Sequence, residues 1–505
     1  MLATPRFPTA QRGARLRELQ LPELRPEPGM PHDSKLLVQS AGAATLSQVW
    51  RMAVTMGTYM VLRRFIPPEE MGVWSWAEPL FVLIAQIRDL GVPGHVVRMR
   101  DRTYGNYLVL QVVWGGLLAG ALALGAPLLA EAFAGRDAQT APVLRWMCLF
   151  LFVQGLASVP LTYFEVEQRV VRTIPAELAR NVGFAALSLV LAWRGFGVWS
   201  VVLAHTASYV IYAVALWLRA AGDIPLRYQS AATAGLVRSS WPLAVMSLLE
   251  LAVLNLDPLI IGLVLPQAAV ARASLAILAL FFFSRSVADA VGRSVYPALV
   301  AHHHQPERSF ELYRLATLFL VSFVVPLSFG AFLNAEAVAL VLGGEQWIGA
   351  GRYLTVAAFV PFLRPLTMFG REYLMVVHRD RLLILYTLTN LLSLGGLGYW
   401  LVRGELRELG MAVAGYFPLG TLLLGWGLRQ IAPRSFDRLL VEIGELYLLG
   451  LLCFGWIWWV PAERMWLRFG LSAVAAAVCV AIALWRHRAA YRRFLGTEAD
   501  AALSQ

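Results

Sequence analysis

The sequence predicts an all-α polytopic membrane protein with about 14 transmembrane helices, and three observations carry that prediction. Of its 505 residues, 58% are hydrophobic and only 15% charged, with a mean hydropathy of +0.61. Apolar runs recur along most of the chain, each long enough to cross roughly 30 Å of hydrocarbon at about 1.5 Å per residue. The runs are continuous, whereas the strands of a membrane barrel would be about ten residues long and alternate in polarity.

In order, the candidate spans cover residues 36–61, 72–91, 104–131, 142–164, 173–194, 197–219 and 237–264, then 269–297, 313–342, 353–376, 381–402, 409–431, 439–460 and 464–486. Residues 1–35 carry Pro, Arg and Glu without an apolar run and read as a polar cytoplasmic tail that needs no signal peptide. The spans divide into an N-lobe over 36–219 (helices 1–6), an inter-lobe linker over 220–236 and a C-lobe over 237–431 (helices 7–12). Two further helices occupy 432–487, and a second cytoplasmic tail covers 488–505.

Positive charge sets the orientation, because Arg and Lys are retained on the cytoplasmic side. The tails and even-numbered loops hold roughly 28 of the 43 basic residues and the odd-numbered loops roughly 11, so both termini are expected to be cytoplasmic and the membrane the inner one. The net charge of +11 is then mostly a topological signal with affinity for anionic headgroups, and loops this short leave no room for a nucleic-acid-binding domain.

Three cysteines, Cys148, Cys453 and Cys479, all fall in apolar spans, which argues against a disulfide framework or a zinc site. His302, His303 and His304 have metal-ligand chemistry but lie in a polar loop without helical spacing or a cysteine partner, and read as solvated loop. No cofactor, metal or catalytic group is implied. Gly115, Gly116, Gly120, Gly395 and Gly396 suit close helix packing, and part of the seventeen Trp mark membrane interfaces.

An internal repeat is the next signal. Pro160-Leu161-Thr162-Tyr163-Phe164 near the end of the fourth span recurs as Pro365-Leu366-Thr367-Met368-Phe369 near the end of the tenth, with Glu167 matching Glu372. The two spans are six helices apart in order, which preserves orientation, so the two lobes are expected to be related by a pseudo-twofold axis along the membrane normal, with a site between them.

Ionisable residues inside the spans locate that site. Arg51, Arg180, Arg285 and Arg364 facing lipid would together cost on the order of 10 kcal/mol, so they must face protein or water. Gln48, Arg51, Thr55 and Tyr59 form one polar stripe on the first helix and read as a cavity wall. The seventh helix carries Glu250 and Asp257 on one face, and the eighth carries Arg285 and Asp289 one turn apart. Packing competes with binding for each: Arg285 with Asp289 as an intrahelical pair, Arg180 near Glu177 or Arg364 near an interface as snorkelling groups, Asp257 as a helix-helix hydrogen bond, and Glu78 as an interfacial residue.

The stretch Leu62-Arg63-Arg64-Phe65-Ile66-Pro67-Pro68-Glu69-Glu70-Met71-Gly72-Val73-Trp74, with a PxxxxG turn from Pro67 to Gly72, resembles the turn after the first helix of polysaccharide flippases in the multidrug/oligosaccharidyl-lipid/polysaccharide exporter superfamily. Asp89-Leu90-Gly91, Gly195-Phe196-Gly197-Val198-Trp199 and Leu256-Asp257-Pro258-Leu259-Ile260-Ile261-Gly262 resemble further stretches of that family in order and spacing. Pro258 departs from the usual basic residue after the Asp. The resemblance implies alternating-access translocation of a polyprenyl-diphosphate-linked oligosaccharide for cell-surface polysaccharide synthesis, with membrane lipids and a glycan polymerase or glycosyltransferases as partners. On that reading Arg51, Arg285, Arg364, Arg180, Gln48 and Thr55 bind substrate, because guanidinium forks suit phosphate oxygens. Asp257, Glu78, Glu250 and Asp289 supply counter-ions or coupling sites. The alternatives are a drug/cation antiporter of the same fold, a membrane scaffold, or a membrane enzyme, for which the outer loops lack acids, His and metal motifs.

Overall fold

The computed structural model describes residues 50, 53–100, 102–132, 138–167, 169–280, 305–358, 364–393 and 418–488, with isolated positions from 291 to 302. Among the described residues the chain is helical, without strands. The N-lobe comprises α1 (residues 53–65), α2 (Pro68–Asp89), α3 (Val92–Met99), α4 (Tyr104–Ala132), α5 (Thr140–Val166), α6 (Ile174–Trp193) and α7 (Val198–Ala220). A long helix, α8 (Ser230–Val264), leads into the C-lobe, followed by α9 (Gln267–Leu280). Then come α10 (Pro306–Leu333), α11 (Ala335–Gly343), α12 (Gly351–Ala357), α13 (Arg364–Val376), α14 (Asp380–Leu392) and α15 (Pro418–Ile431), and finally α16 (Pro433–Phe454) and α17 (Met465–Arg486).

Among the described residues seven helices are long and apolar enough to cross a membrane, or eight if α2 and α3, bent by 51° relative to each other, are counted as one broken span. The chain is a multi-pass membrane protein, as its composition requires. Two expected boundaries move. The turn at Pro67 is shorter than expected, because α2 already begins at Pro68, with proline in the first helical turn and Glu69 and Glu70 beside the positive helix end. The expected ninth span is two helices: α10 stops at Asn334, whose side-chain N–H donates to the Gly330 carbonyl (2.9 Å) and to Ser472 Oγ of α17 (2.7 Å).

The motif around Gly197 has a packing cause. Glu70 accepts a hydrogen bond from the Val198 N–H at 3.1 Å, capping α7 from across the lobe. Gly197 has a φ of +55°, and a Cβ there would overlap the Glu70 carboxylate. Gly72 likewise lies against the Gln267 backbone carbonyl, where any side chain would collide.

An aromatic contact stands at one end of each lobe, independent of the repeat itself, in which Tyr163 matches Met368. At the start of α4, Tyr104 packs edge-on against Tyr163 of α5 (5.6 Å); at the start of α10, Phe310 packs edge-on against Tyr373 of α13 (5.5 Å). Each aromatic knot anchors its own lobe's apolar core at one end of the bundle, the end bearing the inter-lobe linker. At the opposite end a single apolar core runs through both lobes, joining Leu62, Ile66, Met71 and Trp74 to Leu265, Ala269, Leu342, Trp347 and Leu354. We call these the linker end and the seam end. Cys148 and Cys479 are buried and Cys453 half-buried, all with free thiols. His302 sits half-buried in a turn; His303 and His304 lie outside the described residues.

Candidate functional site

Of the anticipated site residues, Gln48, Arg51, Arg285 and Asp289 lie outside the described residues. Glu250 and Asp257 belong to α8 and Arg364 opens α13, but their side chains also lie outside. Three are placed in full. Thr55 is half-buried on α1, Glu78 is exposed on α2, and Arg180 is half-buried on α6.

Arg180 does not turn to Glu177. Its guanidinium lies over the rings of Tyr209 (4.9 Å) and Tyr212 (5.0 Å) of α7 and donates to the Tyr209 hydroxyl at 3.0 Å and to Asn181 Oδ1 at 3.3 Å. Two aromatic faces and a phenol oxygen hold the cation without neutralising it. Partly accessible inside an apolar helix, it faces protein or water rather than hydrocarbon.

From Arg180 a row of rings climbs towards the seam. Tyr212 meets Tyr209 (6.0 Å), Tyr209 meets His205 (5.2 Å), His205 meets Phe184 (5.9 Å), and Phe184 meets Tyr59 of α1 (6.0 Å). Tyr59, Phe184, His205 and Tyr209 are partly accessible. Behind them stand buried Phe150, 4.5 Å from His205 and 4.9 Å from Tyr209, and buried Trp74, 5.1 Å from His205. The buried rings fix the orientation of the open ones. The Trp74 indole N–H has no acceptor at bonding distance, and Tyr59 and Glu78 both lie within its electrostatic reach.

At the seam the row ends on Arg63, which is 7% exposed. Its guanidinium sits between the rings of Tyr59 (5.7 Å) and Trp347 (5.5 Å), its Nε has no acceptor, and no carboxylate pairs with it among the described residues. The Arg63 backbone carbonyl accepts from the Trp347 indole (2.9 Å) and from Gln346 (2.7 Å). Gln267 donates to Thr140 Oγ1 at 3.1 Å, and Arg64 reaches the Val341 carbonyl at 3.4 Å, so the N-lobe and C-lobe are hydrogen-bonded as well as packed there.

A second polar group lies within the N-lobe. Arg88 is 1% exposed and donates to Asp89 Oδ1 (2.9 and 3.1 Å), the Leu151 carbonyl (2.5 Å) and Gln154 Oε1 (3.2 Å), while Gln111 also donates to Asp89 at 3.0 Å. With its acceptors supplied by its own lobe, this group is a structural knot. Gly155 leaves room for this knot, since a Cβ there would lie 2.5 Å from Gln111 Oε1 and 3.2 Å from Arg88 Cδ, whereas at Gly115 a Cβ would make only ordinary contact at 3.4 Å.

Sequence reasoning passed over Arg63, Arg88, His205 and Tyr209. The basic pair Arg63-Arg64 at a span end looks like an interface anchor, and Arg88 beside Asp89 looks like loop charge. His205, Tyr209 and Tyr212, at i, i+4 and i+7 on one helix, were the available signal.

Comparison with known proteins places this arrangement. No curated protein sequence matches the chain. Among solved structures, the lipid II flippase MurJ in an inward closed conformation is similar over 88% of this chain and 99% of its own, with a TM-score of 0.71 at 10% identity. An inward-facing multidrug resistance MATE family transporter of the MOP superfamily is similar over 77% of this chain and 95% of its own, with a TM-score of 0.59 at 15% identity. A MOP superfamily transporter from Pyrococcus furiosus covers 77% of this chain and 94% of its own, with a TM-score of 0.50 at 14% identity. At these identities the likeness is one of fold. The family described as polysaccharide biosynthesis protein matches residues 61–351, more than half of the chain and the wall just described from Arg63 onward, and the chain belongs to that family.

Proposed function

We propose that the chain is a flippase that carries a polyprenyl-diphosphate-linked oligosaccharide across the inner membrane by alternating access, with both termini cytoplasmic. One observation carries the reading: among the described residues a single apolar core runs through both lobes at the seam end, whereas at the linker end the core around Tyr104 and Tyr163, which takes in Leu236 of α8, is separate from the core around Phe310 and Tyr373. That is the form of a carrier closed at one face. The excess of basic residues at the linker end supports its being cytoplasmic, which makes this state closed to the outside.

A sugar and a diphosphate cannot enter hydrocarbon unaided, since each unpaired polar group there costs several kcal/mol. Arg180 supplies an accessible guanidinium in the wall, and Arg51, Arg285 and Arg364 are assigned to the same task with Gln48 and Thr55. Asp257, Glu78, Glu250 and Asp289 temper the positive field so that substrate can leave. No catalytic step is assigned. The flanking partners are enzymes that build or polymerise the lipid-linked glycan. A second reading, export of an organic cation, is favoured by exposed Glu78 beside Trp74 and Tyr59, an acid with aromatic rings.

The test is flux in proteoliposomes. A polyprenyl-diphosphate oligosaccharide should move with the parent, fail with Arg180→Ala and Arg51→Ala at matched insertion, and recover in part with lysine at either position. If no such lipid moves but an aromatic cation is exchanged in a Glu78-dependent way, the second reading replaces the first.

A further inference from the structure

We infer that the ring row from Tyr212 to Tyr59, bounded by Arg180 and Arg63, is a carbohydrate-binding path along which sugar rings stack while the anionic group of the substrate is passed from one guanidinium to the other. This rests on the flippase reading and names where, on the N-lobe, the glycan and its phosphate are held.

Three observations carry it. The first is the order of the groups. Each ring meets the next at between 5.2 and 6.0 Å, and the row continues without a gap through Arg63 to Trp347. The second is the division between front and back. Tyr59, Phe184, His205 and Tyr209 each keep an accessible face, whereas Trp74 and Phe150, which hold them in place, are 2% and 6% exposed. Flat, rigidly held faces with one open side suit the apolar C–H face of a pyranose, and they bind it without demanding a particular hydroxyl pattern, as aromatic platforms do for other flat ligands.

The third is Arg63. A buried guanidinium with an unpartnered Nε and, among the described residues, no carboxylate is costly, and here it lies under the cover of Tyr59 and Trp347. Thr55, Tyr59 and Arg63 are successive i, i+4 neighbours on α1, so the stripe that reads as a cavity wall ends on this cation. Trp347 belongs to the C-lobe and is held through the Arg63 carbonyl. Parting of the seam therefore removes one of the two rings that cover Arg63 and exposes a cation at the outer end of the path. Arg180, half-buried, is available at the inner end in the state described.

The experiment compares equilibrium binding of two radiolabelled probes, bare undecaprenyl diphosphate and the same lipid carrying N-acetylglucosamine, to purified full-length protein in nanodiscs. Phe184→Leu keeps bulk and apolarity but removes the flat face; it should weaken the sugar-bearing probe about three- to tenfold and leave the bare lipid within about twofold. Phe184→Tyr should match the parent. Arg180→Gln and Arg63→Gln should weaken both probes, and Gln346→Ala, which loosens the seam without touching either guanidinium, should strengthen both in a way that Arg63→Gln abolishes. Parent-like affinity in Phe184→Leu, or equal loss for both probes, overturns the stacking path. An effect of Gln346→Ala that persists in Arg63→Gln overturns the role of Arg63. If the parent binds neither probe and carries no lipid-linked glycan, the flippase reading fails and this one with it; if the parent carries the glycan while Phe184→Leu is silent, this one fails alone.

Discussion

Asp89→Asn tests whether the N-lobe depends on its buried ion pair. The substitution keeps the shape of the side chain and removes its charge, leaving Arg88 cationic at 1% exposure beside a partner that is itself only 16% exposed. Breaking one side of a buried pair costs about 3–5 kcal/mol. Arg88 retains the Leu151 carbonyl and Gln154, which places the loss near the lower bound, and the bond from Gln111 to Asp89 weakens as well. For a unit the size of the N-lobe, at roughly 2–4 °C per kcal/mol, an effect of about 3 kcal/mol lowers the apparent Tm by on the order of 10 °C. The assay is thermal unfolding in detergent, run as a double-mutant cycle with Arg88→Met. The double variant should recover part of the loss, because the uncompensated charge is gone. A shift in Asp89→Asn equivalent to less than about 0.5 kcal/mol, the level of an ordinary surface change, would refute the reasoning. So would a double variant no more stable than the single.

Three further outcomes follow from the geometry. Gly197→Ala forces a Cβ into the Glu70 carboxylate at a positive φ and should cost at least about 2 kcal/mol, read as a lowered Tm and poorer membrane insertion, whereas a change at Gly195, where open space surrounds the Cβ, should cost less. Gly72→Ala pushes against the Gln267 carbonyl and should prise open the seam, so that a cysteine placed by Thr140→Cys becomes more reactive to an impermeant maleimide from the outside; unchanged labelling would contradict the seal. His487, at the end of α17, is held below its ordinary value of 6.5 chiefly by burial, with Glu442 opposing and Arg486 and Arg314 reinforcing. A depressed histidine contributes stability above the unfolded value and loses it as the pH falls through the folded one, so apparent Tm should decline as the pH falls below about 6.5 in the parent and stay flatter in His487→Gln.

Near His487, Arg314 of α10 is paired with both Glu311 and Glu442, and Arg486 donates to Glu445 at 2.5 Å. The Arg314–Glu442 pair binds α16 to α10, and the Arg486–Glu445 pair ties α17 to α16. Nothing in the sequence singled them out, because Glu311 and Arg314 are only three residues apart and look like an ordinary surface pair, while Glu442 lies more than a hundred residues away. The short ninth span has the same origin. An apolar run of 30 residues does not reveal that Asn334 within it will close one helix and pin another through Ser472.

What the sequence determined by itself is the part governed by local, additive physics. The bilayer selects for continuous apolar runs, so helicity and multi-pass insertion could be read residue by residue, and the cost of intramembrane charge led to the expectation that Arg180 faces something other than lipid. The motif at Pro67–Gly72 was legible as a pattern, yet its reason was not: Glu70 caps a helix more than a hundred residues later, and Gly72 makes room for a backbone carbonyl of the other lobe. Only the tertiary structure decided which charges meet carboxylates and which meet rings. Arg88 and Arg63 are both buried arginines near helix ends; one is neutralised by its sequence neighbour, and the other lies between Tyr59 and a tryptophan 284 residues away. Burial and pairing depend on what the folded lobes bring together, and neither is a property of a residue in its own helix.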